Sequence, residues 1–317
     1  MNVLVTGGAG FIGSNFIEFV LESKRHLISK IVNLDALTYA GDLVNTEEFK
    51  EDGKYVFENV NLCDVEGLVS VFKKHDITHV VHLAAESHVD NSIADPSEFI
   101  QSNVVGTFNL LKISQDLGIK RFHHVSTDEV YGELGKDGKF DESTPYNPHN
   151  PYSASKASSD FLVSSYFHTY GLPITISNCS NNYGPRQHSE KFIPTVINSI
   201  LNKKSIPLYG EGLNVRDWIY VKDHCEGIWD VFEKGTLGET YCIGSNCEKK
   251  NIDVIRAICD LLQVRPADCI EYVEDRLGHD FRYAIDSGKI ISQLNWTPKT
   301  SFQLGLEKTI GWYYERR

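Results

Sequence analysis

A hydroxyl and two carboxyls in succession, Thr127, Asp128 and Glu129, precede a tyrosine and a lysine four residues apart, Tyr152 and Lys156. On a helix that spacing puts the phenol and the ammonium on one face. A cation beside a phenol lowers its pKa and prepares Tyr152 to accept a proton. That pair alone suits the oxidation of an alcohol by a dinucleotide. The extra acid and base imply further proton transfers after a hydride step, which points to loss of water rather than simple oxidation. Two neighbouring carboxyls also repel, which helps to keep one of them protonated.

A dinucleotide needs its own cradle, and the N-terminus supplies one. The turn Gly7-Gly8-Ala9-Gly10-Phe11-Ile12-Gly13 follows the apolar run Val3 to Thr6 and opens a helical pattern. Glycines there permit a tight turn, close approach of backbone to a pyrophosphate, and close packing of helix on strand. The helix start then offers N–H groups and a favourable dipole. Asp35 ends the next apolar run, 22 residues beyond Gly13. A carboxylate at that place accepts hydrogen bonds from a ribose diol and repels a 2′-phosphate, favouring NAD over NADP. Asp64, after the run ending at Leu62, suits either an adenine-edge contact or a helix N-cap.

These groups must be carried by alternating strands and helices. Strands are expected at Val3–Thr6, Ile31–Leu34, Tyr55–Val60, His79–Leu83, Phe122–Ser126 and Ile174–Asn178. Helices are expected at Ile12–Lys24, Val65–Lys74, Ser97–Leu117 and Ser153–Tyr170. That rhythm predicts an α/β fold, a Rossmann-type doubly wound parallel sheet over residues 1–184. Beyond Gly184-Pro185 short strands (Pro207–Tyr209, Arg216–Val221) mix with helices (Phe192–Leu201, Lys222–Phe232, Ile252–Leu262). Residues 185–317 therefore read as a smaller mixed α/β lobe for substrate, with segments returning to the main sheet. Ligands of open α/β sheets sit beyond the carboxyl ends of the strands, which is where Thr127 to Glu129 fall.

Composition narrows the class. The chain has 317 residues, 41% of them hydrophobic, enough for a large core, and a formal net charge of -12. Such an acidic balance argues against nucleic acid or a membrane surface as partner. No apolar run is long enough to span a bilayer and no secretory signal is evident, so a cytoplasmic enzyme is expected. The seven cysteines are scattered with no Cys-x-x-Cys pair, as expected of reduced thiols. His75, His79, His82 and His88 do not have the spacing of a metal site, and His79 and His82 fall on opposite faces of a strand; no metal is expected.

With these residues in view, the chain resembles an extended short-chain dehydrogenase/reductase, and within that group the dTDP-glucose 4,6-dehydratases. The matching stretches are Gly7–Gly13, Leu83–Asp90, Ser126–Gly132, Pro151–Lys156, Cys179–Pro185, Glu190-Lys191, Arg216–Trp218 and Asp275–Asp280. Epimerases similar to it keep the tyrosine and lysine but normally lack the acid–glutamate pair. The resemblance implies NAD as cofactor, held by Gly7, Gly10, Phe11, Ile12, Gly13, Asp35, Thr38, Asp64, Val65, Leu83, Ala84, Ala85, Ser102, Tyr152, Lys156 and Asn182. It implies a nucleotide-diphosphate-glucose substrate bound by Ser87, Thr127, Asn181, Lys191, Phe192, Arg216, Asn251, Arg276 and His279, with Pro207, Leu208 and Tyr209 lining the base pocket. In the implied mechanism Tyr152, its pKa held down by Lys156, takes the 4-hydroxyl proton as hydride leaves C4. Glu129 removes the C5 proton, Asp128 protonates the departing C6 hydroxyl, and Thr127 bonds the 4-oxygen. A homodimer built on the helices Ser97–Leu117 and Ser153–Tyr170 is likewise implied.

Some positions depart from that pattern. Asn91 and Phe281 replace frequent arginines, Cys242 and Cys247 frequent asparagines, and Arg186 and Ser189 a frequent aromatic and proline. None belongs to the proton-transfer set, so they bear on base preference rather than on reaction class. Rival readings are a 4,6-dehydratase for another nucleotide or an N-acetylated hexose, a sugar-nucleotide 4-epimerase, or an inactive NAD-binding scaffold. Loss of one water from the substrate separates the first from the second.

Overall fold

The computed structural model describes residues 1–274 and 280–316. Its strands are β1 Asn2–Thr6, β2 Lys30–Asp35, β3 Tyr55–Asn59, β4 His79–His82, β5 Arg121–Thr127, β6 Ile174–Cys179, β7 Asn181–Tyr183, β8 Ile206–Tyr209, β9 Val215–Tyr220, β10 Thr240–Ile243, β11 Glu248–Lys250 and β12 Ile270–Val273. The helices are α1 Phe11–Ser23, α2 Val65–Lys74, α3 Val89–Ala94, α4 Ser97–Phe99, α5 Thr107–Asp116, α6 Pro151–Tyr170, α7 Phe192–Leu201, α8 Val221–Lys234, α9 Asn251–Leu261, α10 Gly288–Leu294 and α11 Phe302–Glu315.

Seven strands form one parallel sheet in the order β10-β6-β5-β4-β1-β2-β3. Parallel strands covered on both faces need apolar residues on both, and the runs of β1, β2 and β6 supply them. On one face Leu4, Val32, Val80 and Phe122 meet Leu68 and Phe72 of α2, Leu110 and Leu111 of α5, and Val163 of α6. On the other, Val3, Val5, Ile31 and Val81 meet Phe16 and Val20 of α1 and Ile228, Trp229 and Phe232 of α8. Helix α8 and strand β10 thus return from the second half of the chain to complete the main sheet. The smaller lobe has its own core, with Ile193 and Ile197 of α7, Ile255 and Ile258 of α9, and Leu306 of α11. Two small sheets, β11-β9-β7 and β12-β8, belong to it.

The helix expected at Ser97–Leu117 is not uniform. It passes from α4 into a π-helical stretch, Ile100–Gly106, before α5. The wider turn presents Asn103, whose side chain accepts from Glu86 N at 2.9 Å and donates to Glu86 O at 3.0 Å and Ser155 Oγ at 2.8 Å. The π stretch thereby ties the β4 loop to α6, the sort of place where such irregularities recur.

Helix α6 begins where it must to aim Tyr152. Asn150 caps it, accepting from Ser153 N at 2.9 Å, while Ser153 Oγ takes the Asn150 N–H at 3.2 Å, and Pro151 occupies the first turn. This capping box fixes the entry of the helix that carries both members of the Tyr–Lys pair. Asn150→Ala should lower unfolding stability by about 1 kcal/mol, read as a lower urea midpoint with an unchanged slope.

Candidate active site

One cavity of about 630 Å³ runs along the carboxyl ends of β1, β2, β4, β5 and β6 and under the segment 187–191. Its first wall is the glycine turn. Gly7 has φ +71°, and a Cβ on it would lie 2.7 Å from Ala84 Cα; a Cβ on Gly13 would lie 2.2 Å from Gly7 O. Neither position admits a side chain. Helix α1 opens without a side-chain cap, which leaves its first N–H groups for an anion. At the end of β2 the Asp35 carboxylate accepts from Ala9 N at 2.9 Å and Leu37 N at 2.8 Å, so it is aimed before any ligand arrives. Uncapped N–H groups, glycine surface and an oriented carboxylate fit a dinucleotide.

Most of the residues expected to hold NAD line this cavity: Gly7, Gly10, Phe11, Ile12, Gly13, Asp35, Thr38, Leu83, Ala84, Ala85, Ser102, Tyr152, Lys156 and Asn182. Asp64 lines it and also caps α2, accepting from Gly67 N at 3.0 Å. Val65 does not. It sits in the first turn of α2, next to Asp64, and is 47% exposed.

Thr127, Asp128, Glu129, Tyr152 and Lys156 share one stretch of the same wall. Thr127 ends β5, and its Oγ1 accepts from Glu129 N at 3.3 Å, turning the chain so that both carboxyls follow the strand. Asp128 is 1% exposed, and its Oδ2 has no hydrogen-bond partner. Burial, reinforced by the charges of Glu129 and Asp217, pushes its carboxyl well above the usual range. Its surroundings therefore favour the protonated form, the one that can donate.

Tyr152 corrects an expectation. Burial, and after it the Glu129 charge, drives the phenol well above its ordinary value, with a hydrogen bond from Thr127 opposing. Lys156 does not reverse this, because its Nζ donates to Val125 O at 3.0 Å and meets His124 Nε2 at 3.5 Å. The positive charge of a bound oxidised nicotinamide would act in the opposite direction and favour the ionised phenol that accepts a proton.

The expected substrate contacts divide into groups. Ser87, Asn181 and Lys191 line the cavity, and Lys191 Nζ donates to Ser87 O at 2.9 Å. Asn181 Oδ1, Ser180 Oγ and Gln187 Oε1 are buried on this wall without partners. Buried unpaired polar atoms are costly, so their concentration here marks a place for a polar ligand. Phe192 instead stacks on Trp218, ring centroids 6.2 Å apart, and Asn251 N bonds Asn214 O at 3.0 Å. Strand β8 alternates, turning Pro207 and Tyr209 outward and Leu208 inward. The Leu208 side chain is part of the lobe core. Arg276 and His279 lie outside the described residues.

Arg216 is buried in the lobe, with NH2 donating to Asp280 O at 2.8 Å and the guanidinium 4.5 Å from the Tyr283 ring centre. The electrostatics bring Tyr283 to the site as well: the charges of Glu129 and Arg216 both act on its phenol, which burial pushes upward. Sequence reasoning passed over Tyr283, a lone tyrosine far along the chain from the Tyr–Lys pair. It also passed over Cys179, a buried thiol on the cavity wall, and Glu190, which pairs with Lys191 at 4.0 Å. Glu190 had a signal, since it adjoins Lys191 in a quoted motif.

The clustered histidines point to different partners. His75 meets Glu58 at 2.7 Å, His82 bridges Thr6 and Thr107, and His88 caps α3. Glu133, His149 and Asp280 do bring ligand-type atoms within 4.8 Å of one another. They are joined by hydrogen bonds already: His149 Nδ1 to Asp280 Oδ1 at 2.9 Å, with Tyr283 on Asp280 and Phe281 N on Glu133.

Four similarities to known proteins bear on this geometry. A family model described as GDP-mannose 4,6 dehydratase matches residues 4–309. A dTDP-glucose 4,6-dehydratase of Neisseria meningitidis is 48% identical over 99% of this chain and 94% of its own length. The crystal structure of the dTDP-glucose 4,6-dehydratase DesIV from Streptomyces venezuelae, which has NAD bound, superposes with a TM-score of 0.97 at 43% identity, covering 100% of this chain and 98% of its own. A UDP-glucose 4-epimerase of Thermus thermophilus with NAD superposes at 0.91 and 30% identity, over 99% of each chain.

Asp217 offers a pH test of the buried carboxyls. Burial pushes it up to about 6, so the folded chain holds a proton there that the unfolded chain releases between about pH 4 and about pH 6. Its contribution to stability is full at the acid end of that window and falls as pH rises through it. Asp160, also about 6, acts with the same sign. Asp217→Asn keeps an oxygen for Cys247 N. It should gain on the parent at pH 7, by on the order of 3 kcal/mol at most, and gain nothing near pH 4 in denaturant titrations.

Proposed function

The chain belongs to the GDP-mannose 4,6 dehydratase family, and from that premise we propose that it is an NAD-dependent hydro-lyase converting dTDP-glucose to dTDP-4-keto-6-deoxyglucose. The carrying observation is the placing of Asp128, a buried carboxyl whose protonated form is favoured, beside Glu129 on the wall that also bears Tyr152 and Lys156. The overlap with a 4-epimerase shows that the fold serves both chemistries, and the acid–base pair favours elimination. A dTDP-glucose substrate is supported by relatives of that name at 45–48% identity.

NAD, held by the glycine turn and Asp35, supplies a hydride acceptor and later the hydride donor. The protein does the rest. Tyr152 takes the proton of the sugar 4-hydroxyl, with Thr127 holding the same oxygen. The ketone so formed acidifies the C5–H bond, and Glu129 removes that proton. Without the ketone, C5 is far too weak an acid for a carboxylate base. Asp128 gives its proton to the C6 hydroxyl, which departs as water; the hydride held by the cofactor would return to C6 while Glu129 returns the proton to C5, and the proton taken by Tyr152 offsets the one Asp128 gave up. Asn181, Lys191 and Ser87 are assigned to the sugar and diphosphate, and Pro207 and Tyr209 to the nucleoside end.

Subunit pairing and location follow the same reasoning. Phe161 of α6, 63% exposed, with Ile100 and Phe108 exposed on the neighbouring helix, supports pairing of two copies through these helices. The free cysteines and the lack, among the described residues, of a helix long and apolar enough to cross a membrane support a cytoplasmic place.

Incubation with dTDP-glucose and no added NAD should give a product lighter by one water. Deuterium from C4 should reappear in the new methyl group; a product isomeric with the substrate would rule the elimination out. Glu129→Gln should permit the first hydride transfer and block the second half, so reduced cofactor accumulates on the protein, read by its absorbance. Phe161→Asp should halve the sedimenting mass.

A further inference from the structure

Behind Lys156 lies a buried carboxyl that the reaction leaves unused. Asp160 follows Lys156 by four residues on α6, so the two side chains leave the helix on one face. Asp160 is 2% exposed. Its Oδ2 accepts from Ser126 Oγ at 2.8 Å, the Tyr146 hydroxyl at 2.9 Å and Asn178 Nδ2 at 3.4 Å. Its Oδ1 makes no hydrogen bond and lies 3.1 Å from His124 Nε2. The same nitrogen is 3.5 Å from Lys156 Nζ. One imidazole, itself wholly buried, therefore stands between an ammonium and a carboxyl.

An ammonium removed from water sheds its proton unless a negative charge faces it. The candidates are few. Tyr152 is one turn earlier on α6, Cys179 faces Lys156 from β6, His124 from β5, and His82 from β4 with its ring 5.1 Å from that of His124. Tyr146 reaches in from the segment before α6, and Asp128 and Glu129 act from beyond Tyr152. Burial keeps both histidines neutral and pushes the Cys179 thiol up to about 12. Burial also lowers Lys156, and Asp160 is the first influence opposing it. The Asp160 carboxyl, pushed by burial to about 6, is ionised above that pH.

We propose that Asp160 is the counter-charge that holds Lys156 as an ammonium beside Tyr152, with His124 fixing the separation between them. Both are positioning residues that act through Lys156 and do not touch substrate. The idea rests on the reading of Tyr152 as the proton acceptor.

The test uses the full chain with its cofactor. Protein labelled with 13C at the lysine ε-carbon is titrated by NMR, and the Lys156 signal is identified by its loss in Lys156→Met. In parallel, the rate of cofactor reduction by dTDP-glucose is followed across pH. Asp160→Asn should lower the Lys156 midpoint by about one pH unit or more. The alkaline limb of the rate profile should move down with it, about a tenfold loss per unit on that limb. The KM for dTDP-glucose should stay within about twofold. Asp160→Glu should bring the midpoint back toward the parent.

A folded Asp160→Asn with an unmoved lysine midpoint overturns the proposal. Should that variant not fold, Asp160→Ser serves. It too removes the negative charge, and an unmoved lysine midpoint overturns the proposal equally. If the parent forms no dehydrated product while the midpoint still moves, the dehydratase reading fails and the counter-charge stands.

Discussion

Exclusion of water from the carboxyl edge of the sheet is the constraint on which this protein depends. Asp128, Tyr152 and Lys156 are each less than a tenth exposed, and burial is the largest influence on each. In water an aspartate would be an anion and could donate nothing. Under α6 and the lobe it keeps its proton. The same desolvation raises the phenol and lowers the ammonium, so every protonation state in the site follows from packing rather than from residue type alone.

Holding that packing falls to a few local devices. The capping box at Asn150 sets where α6 begins, and with it the height of Tyr152 above β5. The π stretch supplies Asn103, which ties α6 to the β4 loop. Helix α8 and strand β10 come back from the second half of the chain to close the sheet beside β6. The lobe's Arg186 is held by Glu18 of α1 and by Glu48 in the segment flanking the cofactor end of the cavity. Each device fixes an element that borders the cavity or packs behind one that does.

The sequence made some of this plain and hid the rest for identifiable reasons. Strands β1 to β6 and helices α2 and α7 were legible because buried parallel strands carry unbroken apolar runs and α2 has a strong one-sided pattern. The π stretch was not, since a π turn leaves the apolar spacing of its neighbours nearly intact. Helix α11 escaped because little more than Leu306 and Ile310 marks its buried face. Strand β7, three residues long, escaped because so short a strand has no period to read. At the site, Tyr152, Lys156 and the carboxyl pair were visible as spacings. The direction of the Tyr152 shift was not, because burial, its largest cause, is set by the fold. Which of Pro207, Leu208 and Tyr209 turns inward was hidden as well, because alternation on β8 needs the strand's register, which only the fold supplies. Asp160 could have been found: it repeats the four-residue step from Tyr152 to Lys156 once more.

The two carboxyls make sense as a unit. Creating or destroying a single charge in a site this dry costs several kcal/mol. An elimination run by Glu129 alone would neutralise the carboxylate beside the reacting carbons and leave hydroxide departing into a water-poor wall. One run by Asp128 alone would place a second anion beside the first. When Glu129 gains the C5 proton as Asp128 gives one to the leaving hydroxyl, the pocket holds one negative charge before and after. The charge moves by one residue along the backbone and water leaves uncharged. Adjacency of the pair is therefore an electrostatic requirement, since the nearer the two positions, the less the surroundings must reorganise when the charge passes between them.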